Sequence, residues 1–255
     1  MLLDELLIKA RSESSGDLMP PFTPQPTLVE QVVNAIISEI VEGELPANAR
    51  LIQDDLARAY GVSRQPIQQA LLLLRDRGLV REAPGRGLIV SPLDTGVVRN
   101  LYEVRAVVDG LAARLAAERG SDRAKNEGLA YLEAGRAAVD SGSLRDQIEA
   151  DMQFHGFINQ LSGNPLIGET TAPHWPHLRR VIGEVLRGDA QMPQLILAEH
   201  VAILDAVIAG DGATAEALGR QHIAQAADIF VRRLQAQQDA SQEELRQRRP
   251  RRILR

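Results

Sequence analysis

The sequence predicts a mainly α-helical protein, with an N-terminal winged helix-turn-helix followed by a C-terminal all-α antiparallel helical bundle. Two observations support this fold class. Residues 27–92 contain three short helical patterns and one hairpin pattern. Residues 93–237 contain long stretches rich in Ala, Leu, Val and Arg with helical spacing and no strand pattern. Residues 1–26 are expected to form a disordered or arm-like extension, and residues 238–255 a basic tail.

The composition narrows the class of protein. A chain of 255 residues can form two modest domains, and 44% apolar with 25% charged residues is typical of globular proteins. Aromatic residues, at 3%, are too few for a protein that stacks on single-stranded nucleic acid. No apolar run approaches the roughly 20 residues of a bilayer span, so we expect no membrane partner and a cytoplasmic location. Because the chain has no cysteine, any metal must be held by histidine and carboxylate groups.

The first domain is predicted to contain three helices. Thr27 and Glu30 have the spacing of a capping box, which begins a helix that ends at Gly43. A second helix is expected over about residues 53–60. Ser63 can cap the third helix, which tolerates Pro66 in its first turn. The inner face of this third helix is expected to be anchored by Leu71, Leu72 and Leu74.

Residues 79–90 alternate apolar and polar side chains around Pro84-Gly85-Arg86-Gly87, which predicts a tight hairpin, the wing. The net charge of the chain is −5, yet residues 57–90 contain six Arg against two acidic residues. A local excess of positive charge suits a DNA-binding surface. The third helix, with polar and basic side chains in its first turn, is therefore expected to enter a DNA major groove.

The second domain is expected to bring four metal-binding groups together. Its predicted helices span about residues 94–119, 122–140, 143–162, a Pro-interrupted 164–187, 191–209 and 212–237. Asp151 and His155 are four residues apart and share one helix face. His200 and His222 are each in register with the apolar residues of other helices. Nitrogen and oxygen ligands without sulfur favour a divalent metal ion, with zinc first and nickel, manganese or iron also possible.

An ordered set of motifs in residues 28–92 resembles the N-terminal domain of GntR-family transcription regulators. The set runs through Glu42-Gly43-Glu44-Leu45-Pro46, Val62-Ser63-Arg64-Gln65-Pro66-Ile67, Gly78-Leu79-Val80 and Gly85-Arg86-Gly87. The resemblance implies a homodimer on a double-stranded DNA operator, with contacts from Ser63, Arg64, Gln65, Gln68 and Arg86. Two positions depart from the family pattern: Gln68 stands where Arg is usual, and Asn48-Ala49 where Pro-Gly is usual.

A second resemblance covers about residues 95–235. Asp151-Met-Gln-Phe-His155, Asn164-Pro165, Glu199-His200 and His222-Ile223 are similar to the FCD effector-binding domain of FadR-type GntR regulators. The resemblance implies that Asp151, His155, His200 and His222 hold a metal ion, and that a small organic-acid effector binds beside it. It also implies that Arg105 holds the effector carboxylate. An ion pair between Arg105 and Asp109, four residues on, is an equally good interpretation.

Three functions are compatible with these patterns. The leading hypothesis is a ligand-responsive DNA-binding transcription regulator, a repressor that a small carboxylate metabolite releases from a palindromic operator. The alternative is a metal-dependent hydrolase, because histidine and carboxylate ligands with open positions can activate water. Against it, the sequence contains neither H-E-x-x-H nor G-x-S-x-G. A helical scaffold with a structural metal would leave the winged helix unexplained.

Overall fold

The computed structural model describes residues 25–187 and 190–248. The expected N-terminal arm lies almost entirely outside the described residues, as does the end of the basic tail. The N-terminal part contains α1 (Leu28–Glu42), α2 (Gln53–Tyr60), α3 (Arg64–Asp76), β1 (Val80–Ala83) and β2 (Gly87–Val90). The C-terminal part contains α4 (Thr95–Ser141), α5 (Leu144–Leu161), α6 (Pro165–Thr171), a 3₁₀ turn (Ala172–His174), α7 (Trp175–Arg187), α8 (Met192–Ile208) and α9 (Gly212–Arg248). These elements confirm the predicted fold class.

Helix α1 begins and ends at the residues that its sequence indicates. The Thr27 side chain accepts a hydrogen bond from the Glu30 amide, and the Glu30 carboxylate accepts one from the Thr27 amide, so the capping box is formed. Gly43 ends the helix in the left-handed conformation, at φ 85°. The helix buries a continuous apolar face of Val32, Val33, Ile36, Ile37, Ile40 and Val41.

The turn between α2 and α3 sets the position of the third helix. Gly61 has φ 65° there, a conformation that glycine adopts without strain. Leu71 and Leu74 are buried, but Leu72 is 43% exposed, so its prediction as an inner-face anchor was wrong. Leu72 follows Leu71 by one residue and lies roughly 100° around the helix from it. Ser63 occupies the N-cap position, although its side chain makes no capping hydrogen bond.

The wing is a two-stranded antiparallel hairpin in which Val80 pairs with Val90 and Ala83 with Gly87. The amide of Arg86 donates to the carbonyl of Ala83 at 3.0 Å, which closes the predicted tight turn. Asn48, one of the departures from the family pattern, has φ 67°, and asparagine tolerates this left-handed conformation. Its amide donates to the Val90 carbonyl at 2.9 Å and so ties the α1–α2 loop to the wing.

Helix α4 is continuous over 47 residues, where two helices (94–119 and 122–140) were predicted. The prediction of two helices was wrong, but α4 does reverse its direction near the expected break. Asp109 contacts His155 of α5, while Tyr131 stacks on Phe157 only two residues further along α5. A straight helix would separate residues 109 and 131 by about 33 Å, so α4 must turn back on itself between them.

Gly120 explains why the reversal occurs where it does. A Cβ at this position would lie 2.9 Å from the Leu161 carbonyl oxygen, so only glycine allows the two backbones to approach this closely. Ser121 follows it, and Gly/Ser pairs are common sites of sharp helix bending. Both halves of α4 therefore contribute to one bundle with α5, α8 and α9.

The last helix is longer than predicted. We expected α9 to end at residue 237 and a basic tail to follow, but the helix continues to Arg248. Residues 238–248 are mostly Ala, Gln, Glu, Leu and Arg, which have high helix propensity and outweigh the tail-like charge. The remainder of the basic segment, residues 249–255, lies outside the described residues.

Helix α7 joins the two parts of the protein. Arg187 donates to the Val41 carbonyl at the end of α1 at 2.5 Å, and Arg180 donates to the Ser91 carbonyl after β2 at 2.6 Å. His177 donates to the Arg77 carbonyl at the end of α3 at 2.7 Å. The apolar face of α7 completes the same core as α1 and α3. The N-terminal part is thus held to the bundle by both packing and hydrogen bonds.

In the part of the chain that the structure describes, no single helix is long and apolar enough to cross a membrane. The bent pair Pro165–Arg187 and Met192–Ile208 passes that test only when both helices are taken together, on length and composition alone.

Candidate functional site

The residues predicted to contact DNA form one exposed surface. Ser63, Arg64, Gln65 and Gln68 are exposed along the first two turns of α3, and Arg86 is exposed at the tip of the wing. The opposite face of α3 is buried against α1. The polar side chains of α3 and of the wing tip therefore lie outside the core, as contact with a DNA duplex requires.

Arg64 takes part in an ion pair that sequence reasoning missed. Its Nε lies 2.5 Å from Oδ1 of Asp54, and its Nη2 lies 2.8 Å from Oδ2 of the same carboxylate. Asp54 is in the first turn of α2, ten residues earlier. No sequence pattern indicates this pairing, because it depends on how the Gly61 turn sets α2 against α3.

The second site is a buried group of four potential metal ligands. One ligand atom from each of Asp151, His155, His200 and His222 lies within 4.8 Å of the others, and all four side chains are buried. Nε2 of His155 is 3.3 Å from Nε2 of His222, and Nε2 of His200 is 3.5 Å from Oδ1 of Asp151. Three helices contribute: α5 supplies the Asp and the first His, while α8 and α9 supply one His each.

Two further carboxylates orient the histidine rings. Oε2 of Glu199 lies 2.6 Å from Nδ1 of His222, and Oδ2 of Asp109 lies 3.4 Å from Nδ1 of His155. A carboxylate at Nδ1 favours the tautomer that keeps the proton on Nδ1 and leaves the Nε2 lone pair for a metal. The pattern of Asp or Glu, His and metal is common around protein metal ions. Glu199 belongs to a motif of the FCD resemblance, but the sequence gives no sign that it contacts His222 on another helix and not its neighbour His200.

The chemistry of the group fits a divalent metal ion. Burial lowers the pKa of His155 and of His200 well below the usual range, so both rings are neutral near pH 7. Nε2 of His200 is fully buried and has no hydrogen-bond partner among the described residues. A buried nitrogen without a partner is costly, and a metal ion supplies the missing interaction. Three histidine nitrogens and one carboxylate oxygen, without sulfur, suit zinc and other first-row divalent ions.

Arg105 and Tyr102 adjoin this group from the first half of α4. Nε of Arg105 pairs with Oδ2 of Asp109 at 3.1 Å, so the alternative interpretation of Arg105, the ion pair, is present. Nη2 of the same guanidinium and the hydroxyl of Tyr102 are buried beside each other, and neither has a hydrogen bond of good geometry to any of the described residues. Burial raises the pKa of Tyr102 to about 12, so its hydroxyl stays protonated and is a donor. Sequence reasoning missed Tyr102, because an aromatic residue on a helix ordinarily indicates core packing.

Asp151 and His200 also line a small cavity of about 30 Å³. Its walls are mostly apolar and include Leu186, Ile196 and Leu197. The four-residue group is thus bordered by two hydrogen-bond donors on the first half of α4, and by an apolar cavity between the second half of α4, α5, α7 and α8.

A DNA-reading winged helix joined to a helical domain with an internal polar site defines a class of one-chain regulators. Residues 28–90 match the model of the bacterial regulatory proteins of the gntR family, and residues 100–225 match the FCD domain. The chain belongs to the GntR family, in the group that carries an FCD domain. Its FCD match contains Arg105 and all four potential metal ligands.

Relatives from several bacteria support this assignment. A Streptomyces ambofaciens protein named as an HTH-type transcriptional regulator in an unstable DNA locus is 31% identical, over 71% of this chain and 75% of that protein. The Escherichia coli K12 protein RspR, named as an HTH-type transcriptional repressor, is 25% identical, over 76% and 85% respectively. The structure of E. coli McbR/YncC matches with a TM-score of 0.70 at 21% identity, covering 82% of this chain and all of that chain. The hydrolase hypothesis finds no support among them.

We predict that zinc stabilises the protein through His200. Added to metal-depleted protein, saturating zinc should raise Tm by about 5–10 °C, because an ion that binds only the folded state shifts the unfolding equilibrium. His200→Ala should lose most of that rise in a thermal unfolding assay. His174→Ala removes an exposed histidine outside the group and should keep it. An equal rise in both variants would contradict the assignment of His200.

Proposed function

We propose that this GntR-family transcription regulator is a repressor that a small carboxylate metabolite releases from a palindromic operator. The proposal rests on one combination of features in a single chain. An exposed recognition helix is joined, through α7, to a buried site that has four potential metal ligands and unpartnered hydrogen-bond donors beside them. Buried donors without partners are rare in folded proteins, and here they point to a ligand of complementary charge.

On the DNA side, α3 and the wing tip supply the proposed contacts. Arg64 is suited to donate two hydrogen bonds to O6 and N7 of a guanine, and Gln65 or Gln68 can pair with an adenine. Ser63 and Arg86 are assigned to backbone or groove contacts at the two ends of the surface. Gln68 replaces the arginine usual in the family, which removes one positive charge from the interface, so we expect a different operator from those of its relatives.

We predict that Arg64→Ala weakens binding to the specific operator. Sites selected from a random duplex library would serve as the operator in gel-shift titrations at fixed salt. The variant should lose about 1–3 kcal/mol of binding free energy, because a guanine contact of this kind has that value. Arg58→Ala is the matched control, since Arg58 is an equally exposed arginine paired with Asp55 on α2. Normal operator affinity for Arg64→Ala would sink the assignment.

In the helical domain, Asp151, His155, His200 and His222 would hold the metal, for which zinc is the best candidate. When bound, the metal would supply a Lewis-acid anchor for an oxygen atom of the effector. Arg105 and Tyr102 would hold the carboxylate of the effector through Nη2 and the hydroxyl, the two atoms that lack partners. The small apolar cavity beside Asp151 would admit a group no larger than about a methyl from the rest of the effector.

We predict opposite effects of Tyr102→Phe on the free protein and on its ligand response. Without ligand the variant should be as stable as the wild type or slightly more so, because it removes a buried hydroxyl that has no hydrogen bond of good geometry to any described residue. With small organic acids such as glycolate, lactate, malate and citrate, zinc-loaded variant protein should show a weaker thermal shift and weaker operator release. Arg105→Lys keeps a charge beside Asp109 but loses the planar fork, and should weaken the response further.

Full response of Tyr102→Phe to every acid that stabilises the wild type would contradict the role of Tyr102. Arg123→Lys is a control for the arginine, since Arg123 pairs with Glu127 on the surface of the same helix.

A second copy of this chain is proposed to cover one face of α4. Val97, Val104 and Val107 are 49–59% exposed on this face, with Leu101 and Val108 half-buried between them. Side chains at 97, 101, 104, 108 and 111 are spaced alternately by four and three residues, as in paired helices. A palindromic operator requires two recognition helices related by a two-fold axis and about 34 Å apart, which a dimer supplies.

We predict that Val104→Asp converts the dimer to a monomer in analytical ultracentrifugation, because a charge in the centre of an apolar interface is costly to bury. Leu129→Asp is the control, as Leu129 is 59% exposed on the same helix but outside this face. A monomeric wild type, or a dimeric Val104→Asp variant, would count against the interface.

Helix α7 is the proposed route from the effector to the DNA. Leu186 lines the cavity beside Asp151, and the next residue, Arg187, donates to the carbonyl at the end of α1. Arg233 of α9 donates to the Glu184 and Val185 carbonyls and so ties the same end of α7 to the helix that carries His222. An effector that displaces Leu186 therefore changes how α1 is held, and with it the separation of the two recognition helices.

A further inference from the structure

The ion pair between Asp54 and Arg64 has a geometry that selects one edge of the guanidinium. The carboxylate occupies the edge formed by Nε and Nη2, with both of its oxygens engaged at 2.5 and 2.8 Å. A guanidinium has a second edge, formed by Nη1 and Nη2, that also presents two parallel N–H groups. With Asp54 in place, this second edge is the one left for another pair of acceptors.

The pair does little for the stability of the fold. The side chains of Arg64 and Asp54 are 74% and 47% exposed, and ion pairs this exposed contribute little to folding. Its effect is instead to restrict a long side chain that would otherwise sample many rotamers. A side chain held in its binding conformation loses less entropy when it binds.

We propose that Asp54 is a positioning residue that makes Arg64 specific for guanine. Asp54 holds the Nε/Nη2 edge so that the Nη1/Nη2 edge is presented to the O6 and N7 acceptors of one guanine. A free arginine can turn to a phosphate, which carries no sequence information. This inference rests on the proposed function, because it requires that α3 enters the major groove.

The charge of Asp54 makes this role distinguishable from a general electrostatic one. A carboxylate near DNA repels the phosphates, so removing it should strengthen binding to any sequence. Loss of an orienting contact should weaken discrimination between sequences. Asp54→Ala is therefore expected to raise non-specific affinity and lower specificity together, whereas removal of an acid that does not position Arg64 should only raise affinity.

Asp55 provides the matched control. It is the next residue, in the same first turn of α2, with a side chain 60% exposed, and it pairs with Arg58 instead of a residue of α3. Asp55→Ala removes the same charge from nearly the same place. Any difference in base preference between the two variants is then due to the contact of Asp54 with Arg64.

The experiment uses the full-length protein and duplexes selected from a random library with wild-type protein. Affinities are measured at one salt concentration for the best selected duplex, for duplexes with each conserved guanine replaced by adenine, and for a scrambled duplex. For one guanine, Asp54→Ala should reduce the preference over adenine about tenfold, within the range of a single bidentate contact. Asp55→Ala should keep that preference, and both variants should bind the scrambled duplex more tightly.

The same guanine should lose its preference in Arg64→Ala, and adding Asp54→Ala to that variant should cause no further loss. An unchanged preference in Asp54→Ala, or an equal loss in Asp55→Ala, overturns the positioning role while leaving α3 as the reading helix. If Arg64→Ala retains every base preference of the wild type, the proposed DNA contact of Arg64 fails, and the role of Asp54 with it.

Discussion

One carboxylate and three imidazoles enclosed in the same interior constrain how the helices of the C-terminal domain pack. Asp151, His155, His200 and His222 are all buried, and each loses its interactions with water on folding. Their ligand atoms can meet within 4.8 Å only if α5, α8 and α9 keep their mutual positions. Asp109 and Glu199 then bond to the outer nitrogens of two rings, so the supporting carboxylates depend on the same arrangement. The first half of α4 adds Asp109 and Arg105 to this interior as well.

One short helix, α7, contacts both the N-terminal part of the protein and the cavity beside Asp151. Helix α7 contacts the ends of α1 and α3 and the segment directly after the wing through Arg187, His177 and Arg180. Arg187 and His177 donate to carbonyls at the ends of α1 and α3, where the partial negative charge favours a cation or a donor. Leu186, the residue before Arg187 on α7, lines the cavity beside Asp151. Because closely packed elements move together, a displacement of Leu186 would also displace Arg187 and its contact with α1.

Several elements could be predicted from local patterns because the forces that produce them are local. Thr27 and Glu30 cap α1 through neighbouring backbone groups, and Pro84-Gly85 forms a turn of a few residues. The four-residue spacing of Asp151 and His155 likewise places both on one helix face without any tertiary information. Leu72 was misassigned because an apolar residue beside two buried leucines looks like core, although its direction differs from that of Leu71. The continuity of α4 was missed because glycine and serine ordinarily interrupt helices.

The sequence alone determined the fold class, the capped helices, the wing, and the residue types that can bind a metal, since periodicity and turn chemistry act over a few residues. Tertiary structure decided which distant groups meet. Asp54 pairs with Arg64, Glu199 contacts the ring of His222, and Tyr102 is buried near Asp151, and no spacing in the sequence could reveal these contacts. These contacts depend on the angles between packed helices, which arise from the shapes of many side chains at once.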